Sequence, residues 1–352
     1  CSSDLARNTD HAPLGQPYLA RRQNWTTQLA RHALMQPNRA ALRFGGQTIT
    51  WAQLHARVTA LAAALRSRGI EAGDRVMILM LNRTEFIESM LAANLLGAIA
   101  VPVNFRLTPP ELAFLVADCE SRILITEPVL APVALAVAGL APLGDDEVQI
   151  VVAGASGQDG LLGYEELIAE PADRDGVGEA DIPNDSPALI MYTSGTTGRP
   201  KGAVLTHTNL TGQTMTMLYS NGADIINDVG FIGVPLFHIA GIGNLLTGLT
   251  LGIPTVIYPL GAFDPDQLLD VLEAEKVTGI FLVPAQWQAV CAVQRARPRA
   301  LKLRVISWGA APASDTLLRE MAATYPGAAI LAAFDQTEMS RVTSMLRGAD
   351  AI

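Results

Sequence analysis

The apolar and polar positions from Thr50 onward predict a chain in which helices and strands alternate. Thr50 and Gln53 form a capping-box pattern that opens a helix, and apolar residues then recur at helical spacing as far as Leu65. Gly69 follows as the predicted end of that helix. The segment Thr108–Glu111 repeats the capping-box pattern, with a proline in the first helical position.

Short, continuously apolar runs lie between the predicted helices, as is typical of buried strands. They cover residues 76–81, 98–103, 122–126, 148–152, 188–192, 203–206, 279–283, 305–308 and 328–334. Strands that are apolar throughout and separated by helices predict parallel sheets with helices on both faces, which is an α/β fold. Residues 229–263 carry no Asp, Glu, Lys or Arg, but prolines interrupt them. We therefore expect a buried strand, helix and strand there rather than a membrane-spanning helix.

The length of 352 residues favours two packed lobes over a single domain. A polar, irregular stretch over residues 170–186 marks a surface connection between them. The predicted organisation is an N-terminal extension (1–24), a first α/β subdomain (25–185) and a second α/β subdomain that carries a phosphate loop (186–352).

Amino-acid composition and net charge limit the kinds of binding partner that we expect. The net charge is −9 and no cluster of Lys and Arg stands out, which argues against a nucleic-acid partner. The three cysteines lie far apart and form no Cys-x-x-Cys pair, so a disulfide framework or zinc site is not expected. This cysteine usage indicates a reducing compartment, and we predict a cytoplasmic location. Cys119 and Cys291 lie in apolar surroundings and are predicted to be small core residues.

The segment Tyr192–Gly202 concentrates hydroxyl groups, glycines and a cation, a combination that suits a polyphosphate. Its candidate phosphate-binding residues are Thr193, Ser194, Gly195, Thr196, Thr197, Gly198 and Lys201. The segment lacks the Gly-Lys-Ser/Thr of a Walker loop, and the strand predicted after it means that no helix dipole faces the phosphates. Taken alone, such a glycine-rich cluster is more often just a surface turn.

The whole eleven-residue string closely resembles the phosphate-binding signature of the adenylate-forming superfamily. This superfamily includes acyl-CoA synthetases, firefly-type luciferases and peptide-synthetase adenylation domains. Four more segments match in order: 49–54, 95–104, 309–312 and 334–338. The resemblance runs from about Trp25 to Ile352 and implies the layered αβαβα arrangement of the N-terminal domain of these enzymes.

The resemblance also implies roles for individual residues. Gly309, Ala310, Ala311 and Pro312 would line an adenine pocket. Phe334 would stack on adenine, Thr337 would contact the α-phosphate, and Glu338 would hold Mg²⁺ with help from Thr197. The implied catalytic residues are Lys201, Thr337 and Glu338. At Asp335 the chain departs from the family, which has glycine there, and the extra bulk and charge would lie beside the nucleotide.

The segment Pro235–His238 bears on the acid substrate. It carries apolar residues and His238 where amino-acid-activating members have an Asp near the substrate ammonium, so the resemblance favours an acyl pocket that includes His238 and Gly241. A structural role for a lone histidine is equally consistent. The closest resemblance is to mycobacterial-type long-chain fatty-acid–CoA ligases, which use ATP, Mg²⁺ and CoA. A fatty-acyl-AMP ligase that delivers to a carrier protein, and a non-catalytic acyl- or nucleotide-binding protein, stay open as alternatives.

The resemblance places a ribose-binding Asp, a hinge and a C-terminal lid with a catalytic Lys after the segment that ends at Ile352. We therefore expect these 352 residues to form the large N-terminal part, to bind nucleotide weakly and not to turn over alone. Contact with a membrane surface and a homodimer are left open.

Overall fold

The computed structural model describes residues 24–140, 148–154, 161–174, 176–177, 182–194 and 198–351. The helices within these ranges are α1 (Trp25–Met35), α2 (Trp51–Ser67), α3 (Thr84–Leu95), α4 (Pro109–Cys119), α5 (Ala131–Ala138), α6 (Tyr164–Ala169), α7 (His207–Asn221), α8 (Ile239–Leu251), α9 (Pro265–Ala274), α10 (Pro284–Ala296) and α11 (Asp315–Thr324). Two short 3₁₀ helices cover Thr337–Met339 and Gly348–Ala351.

The strands are β1 (Ala40–Phe44), β2 (Gln47–Thr50), β3 (Arg75–Leu79), β4 (Ile99–Pro102), β5 (Ile123–Thr126), β6 (Gln149–Val152), β7 (Leu162–Gly163), β8 (Pro187–Thr193), β9 (Lys201–Thr206), β10 (Gly230–Ile232), β11 (Thr255–Ile257), β12 (Gly279–Leu282), β13 (Val305–Gly309), β14 (Ala329–Gln336) and β15 (Arg341–Arg347).

Seven strands form the largest sheet, in the order β7-β6-β5-β3-β4-β8-β9. All pairs are parallel except β8 with β9, which is antiparallel and is joined by the predicted phosphate loop. A second sheet has the order β10-β11-β1-β2, and a third has the order β12-β13-β14-β15. In both, one antiparallel strand lies at the edge of an otherwise parallel sheet.

The fold is therefore the predicted parallel-rich α/β class. The antiparallel edge strands β2 and β15 were not predicted. The division at residue 185 stays a prediction, and two of the three sheets take strands from both sides of it.

Local signals at the helix starts are confirmed. Thr50 caps α2 and accepts from the backbone N–H of Gln53, whose side chain accepts from the Thr50 N–H in return. At α4 the Thr108 backbone N–H and hydroxyl both donate to the Glu111 carboxylate, which is one half of the predicted capping box. Each cap satisfies donors that the first helical turn would otherwise leave unpaired.

The uncharged stretch folds as predicted into the strand β10, the helix α8 and the strand β11. No helix in the described part of the chain is both long and apolar enough to cross a membrane. Cys119 and Cys291 are free and buried, as predicted.

Candidate active site

The two ends of the predicted phosphate loop are fixed by strand pairing. Thr193, the last residue of β8, pairs with Lys201, the first residue of β9. Ser194 and Lys201 are exposed, so both side chains are open to a ligand. Gly198 has a φ of +84°, in the region that favours glycine. Gly195, Thr196 and Thr197 lie outside the described residues.

A strand follows this loop, as predicted. The residues from Lys201 to Thr206 form β9, and the next helix, α7, begins only at His207. A helix N-terminus therefore does not face the loop from the segment that follows it, which separates this loop from Walker-type loops.

Glu338 lies beside the base of the phosphate loop. It belongs to the 3₁₀ helix Thr337–Met339, directly after the C-terminal end of β14. The hydroxyl of Thr193 is 3.4 Å from Oε1 of Glu338, although 145 residues separate the two in sequence. A carboxylate and a hydroxyl oxygen are ligands of the type that Mg²⁺ binds, so these two residues fit the implied metal ion. Thr337, half-buried in the same 3₁₀ helix, is brought next to them.

The residues predicted to bind adenine line one cavity of about 510 Å³. Its lining includes Gly309, Ala310, Ala311, Pro312, Phe334 and Asp335. The volume is in the usual range for a small-molecule pocket, about 300–1,000 Å³. The Phe334 side chain is 56% exposed, so its ring is accessible to a stacking partner.

Two backbone features shape this adenine cavity, which we define by the six residues just named. A Cβ added at Gly309 would lie 2.3 Å from the carbonyl oxygen of Ala333 on β14, so only glycine fits there. Ala310 has a φ of +64°, an unusual conformation for a residue with a side chain. Backbone strain of this kind is common where a turn is held around a ligand.

Asp335, which departs from the family pattern, follows a register shift in the pairing of β14 with β15. Its Oδ1 is buried and has no hydrogen-bond partner. Burial raises the pKa of this carboxyl, and the positive charge of Arg341 opposes that rise. A partnerless carboxylate at the wall of the adenine cavity is unfavourable when ionised.

His238 and Gly241 lie at the start of α8, where His238 is the N-cap residue. His238 is exposed to solvent, yet partial burial of its ring and the nearby positive charge of Arg106 lower its pKa. A Cβ at Gly241 would lie 2.4 Å from the carbonyl oxygen of Pro235, which gives this glycine a packing role. The buried Asn82 holds the same segment, since it accepts from the Leu236 N–H at 2.8 Å.

A smaller cavity of about 90 Å³ lies between α8 and the sheet β12-β13-β14-β15. We call it the α8 cavity. Its lining includes Asn244, Thr247, Ser307, Ala333, Arg341 and Met345. Ala333 also lines the adenine cavity, so the two cavities adjoin at β14.

Arg341 and Asn244 are two polar residues of the α8 cavity that the sequence analysis missed. Arg341 is only 5% exposed, and its Nη2 donates to Oδ1 of Asn244 at 2.6 Å. The one local signal was a lone arginine three residues after Glu338. Its burial depends on α8, 97 residues earlier in the chain, and local sequence does not reveal that contact.

Comparisons with known proteins agree with this geometry. The family model described as "AMP-binding enzyme" matches residues 29–351. A feruloyl-CoA synthase from an Amycolatopsis species is 37% identical over 294 residues, which cover 80% of this chain and 53% of that protein. An indoleacetate–CoA ligase from Aromatoleum aromaticum is 34% identical and covers 91% of this chain and 61% of its own length.

A solved structure shows the same likeness in three dimensions. The inhibitor-bound N-terminal domain of FACL13 from Mycobacterium tuberculosis superposes with a TM-score of 0.82 at 28% identity, covering 94% of this chain and 80% of that one. The chain thus spans a little over half the length of the curated relatives it matches.

Proposed function

Because the chain belongs to the AMP-binding enzyme family, we propose that it is the large domain of an AMP-forming acid–CoA ligase. One observation carries this proposal. Segments far apart in sequence converge: β14 contributes Phe334 to the cavity that Gly309 also lines, and the 3₁₀ helix directly after β14 brings Glu338 to Thr193 at the phosphate loop. The named activities of the curated relatives, both of which join an acid to CoA, support it.

The reaction activates a carboxylate, which is a poor electrophile with a poor leaving group. The acid's carboxylate oxygen attacks the α-phosphorus of ATP in line, and pyrophosphate leaves with the electron pair of the broken P–O bond. The CoA thiolate then displaces AMP from the acyl-adenylate. In this scheme the protein positions the reactants and neutralises charge. Lys201 supplies positive charge to the departing pyrophosphate, and the hydroxyl of Thr337 donates to an α-phosphate oxygen.

The implied metal ion fits residues at the end of β8 and just after β14. Glu338 and the hydroxyl of Thr193 would hold Mg²⁺, with Thr197 as the further predicted ligand, and when bound it would neutralise phosphate oxygens. Phe334 would stack on the adenine ring, and the Gly309–Pro312 turn would contact its edge. ATP and CoA are thus the proposed co-substrates.

For the acid, a fatty acyl chain is the first candidate. The helix α8 that follows His238 buries mostly apolar side chains, and the N-terminal domain of FACL13 has the same fold. Transfer to a carrier protein instead of CoA is the alternative for the second half-reaction, and a non-catalytic binding role is the alternative for the whole chain.

A compact aryl acid is the second candidate, for two reasons. The relatives at 37% and 34% identity are named for feruloyl and indoleacetate substrates. The α8 cavity is also small, about 90 Å³, well below the ~300 Å³ at which small-molecule pockets usually begin. A compact group fits this space better than a long extended chain.

The test measures binding of a non-hydrolysable acyl-adenylate analogue, such as an acyl-sulfamoyl adenosine. Calorimetry in the presence of Mg²⁺ gives the affinity. We expect saturable binding to the wild-type chain, since the solved N-terminal domain of FACL13 is inhibitor-bound. Gly309→Ala should weaken binding at least about tenfold, because its Cβ would collide with the Ala333 carbonyl and reshape the adenine cavity.

Gly327→Ala is the matched control, since a Cβ there meets no atom within 4 Å. Failure of the wild-type chain to bind the analogue would contradict the proposal. So would equal binding by the Gly309 and Gly327 variants, because the adenine cavity would then be irrelevant to the ligand.

A further inference from the structure

The α8 cavity contains a buried positive charge that the proposed adenylation chemistry does not use. The guanidinium of Arg341 lies against α8 at Gly243, where an added Cβ would come within 2.1 Å of its Cδ and 2.6 Å of its Nε. Glycine at this position therefore makes room for the arginine side chain. The Nε–H of Arg341 is buried and has no hydrogen-bond partner.

The hydrogen bonds already made by the neighbouring residues leave two kinds of donor in the α8 cavity lining without a described acceptor. Nη2 of Arg341 occupies Oδ1 of Asn244, so the Asn244 side chain retains its NH₂ group as a donor. The hydroxyl of Thr247 donates to the Gly243 carbonyl at 3.1 Å. An unpaired guanidinium N–H and an amide NH₂ together suit an anionic acceptor with two oxygens.

Neutralising Asp335 does not explain Arg341. The two residues are close enough for their charges to interact, but among the described residues no ion pair joins them within 4.0 Å. Instead, Oδ1 of Asp335 and Nε of Arg341 are both buried without a partner. If pairing were the role of Arg341, these two atoms would be expected to bond, because each unpaired buried group costs free energy.

The lining of the α8 cavity also contains a fully paired arginine, Arg304. Arg304 donates to both carboxylate oxygens of Asp228, and Thr278 donates to Oδ1 of Asp228 at 2.9 Å. These groups satisfy one another. Arg341 instead retains an unpaired charged donor, so a ligand group would bind at Arg341.

We propose that Arg341 and Asn244 recognise a second carboxylate, carried at the far end of the acid substrate, in the α8 cavity. This inference rests on the proposed function, because the reacting carboxylate must lie at the adjoining adenine cavity. A carboxylate is compact enough for about 90 Å³, and it supplies the acceptor that the buried guanidinium lacks.

The experiment compares matched pairs of acyl-sulfamoyl adenosines, one ending in a carboxylate and one of equal chain length ending in a methyl group. A short series of chain lengths is measured by calorimetry. We expect the wild-type chain to favour the carboxylate-ended analogue by roughly 10- to 100-fold at its best length. Arg341→Met should abolish this preference and leave binding of the methyl-ended analogue intact, a pattern that a merely structural role would not produce.

Two further variants keep the test decisive if Arg341→Met folds poorly. Arg341→Lys keeps the charge and loses the planar fork, so we expect a reduced preference. Asn244→Ala should reduce the preference by a smaller factor, and thermal unfolding without ligand reports whether each variant folds. Equal affinity for both analogues, or tighter binding of the methyl-ended one, would overturn the inference and leave the proposed function standing. If neither analogue binds, the proposed function fails and this inference fails with it.

Discussion

Two arginine sites, one with a buried glutamate partner and one with a buried arginine, differ in how completely their charges are paired. On the first, Nε and Nη2 of Arg57 bind both carboxylate oxygens of the buried Glu88 at 2.6 and 3.0 Å, and the Tyr164 hydroxyl donates to Glu88 at 2.9 Å. Hydrogen bonds to Glu165 and Glu88 raise the pKa of Arg57 against the lowering effect of burial. On the second, Arg341 lies near Asp335 with an unpaired N–H, and burial lowers its pKa.

The difference separates charges that maintain the fold from charges available to a ligand. The Arg57 site joins α2, α3 and α6, and its acceptors are occupied by its own donors. None of its residues is among those that line the α8 cavity or the adenine cavity. The Arg341 site borders the α8 cavity and leaves donors unused. Unpaired buried polar groups are rare in folded proteins, and a binding role is one reason for keeping them.

The largest expected effect on the free energy of unfolding is at the Arg57 site, where the charges are paired. Arg57→Met would leave the fully buried Glu88 carboxylate with the Tyr164 hydroxyl as its remaining described donor. We expect the free energy of unfolding to fall by about 3–5 kcal/mol, because an uncompensated buried charge costs that much. Chemical denaturation at neutral pH measures the change.

The control is Arg295→Met, which breaks a partly exposed ion pair with Glu320. Exposed pairs contribute about 0–1 kcal/mol, so a small change is expected. Similar losses in the Arg57 and Arg295 variants would mean that the buried network has no special importance for stability.

The expected effect of intermediate size on the free energy of unfolding is at a buried histidine. His207 has an Nε2 without a partner, and burial lowers its pKa to about 4. Because the folded pKa is below the unfolded value of 6.5, the contribution of neutral His207 is present above pH 6.5 and is lost as pH falls toward about 4. The loss amounts to at most about 3 kcal/mol.

We therefore expect His207→Phe to flatten the decline in the free energy of unfolding between neutral pH and pH 4. Denaturant midpoints across this range compare the variant with the wild-type chain, and values above pH 7 serve as the reference for any packing change. An unchanged acid limb in the variant would show that protonation of His207 does not drive the decline.

Much of the fold follows from local sequence, and particular residues show why. The reciprocal cap at Thr50, the Thr108–Glu111 hydrogen bonds and the apolar strand runs depend on neighbours within a few positions, so these helix starts and strands are predictable. The edge strand β15 depends instead on pairing with β14 across a register shift. Its sequence, Arg341–Arg347, carries no strong alternation of apolar and polar residues.

Some residues of the candidate site can likewise be predicted from local sequence, and others cannot. Tyr192–Gly202 and the segment after β14 are recognisable as strings, and the structure brings Thr193 to Glu338. The contact of Arg341 with Asn244 spans 97 residues and requires a glycine one position before the asparagine. Burial of a charge through such long-range packing cannot be read from either segment alone.

The smallest expected effect on stability is at the unpaired arginine. Arg341→Met removes a guanidinium that is buried without full hydrogen bonding, and the gain offsets the lost bond to Asn244. We expect the free energy of unfolding to change by less than about 1 kcal/mol, in contrast to Arg57→Met. The double variant with Asp335→Asn tests whether the two charges depend on each other, through a double-mutant cycle.

Repeating this double-mutant cycle at several pH values shows whether the coupling comes from the charge of Asp335. Burial raises the pKa of Asp335 above the value it has in the unfolded chain. The contribution of protonated Asp335 to the free energy of unfolding is therefore complete below the unfolded pKa, and it is lost as pH rises through the folded pKa. Arg341 opposes this loss, and Arg341→Met should therefore be slightly more destabilising at neutral pH than at pH 4, with the difference removed by Asp335→Asn. A drop of several kcal/mol for Arg341→Met at every pH would place Arg341 with Arg57 as a structural charge, and the distinction between the two sites would not hold.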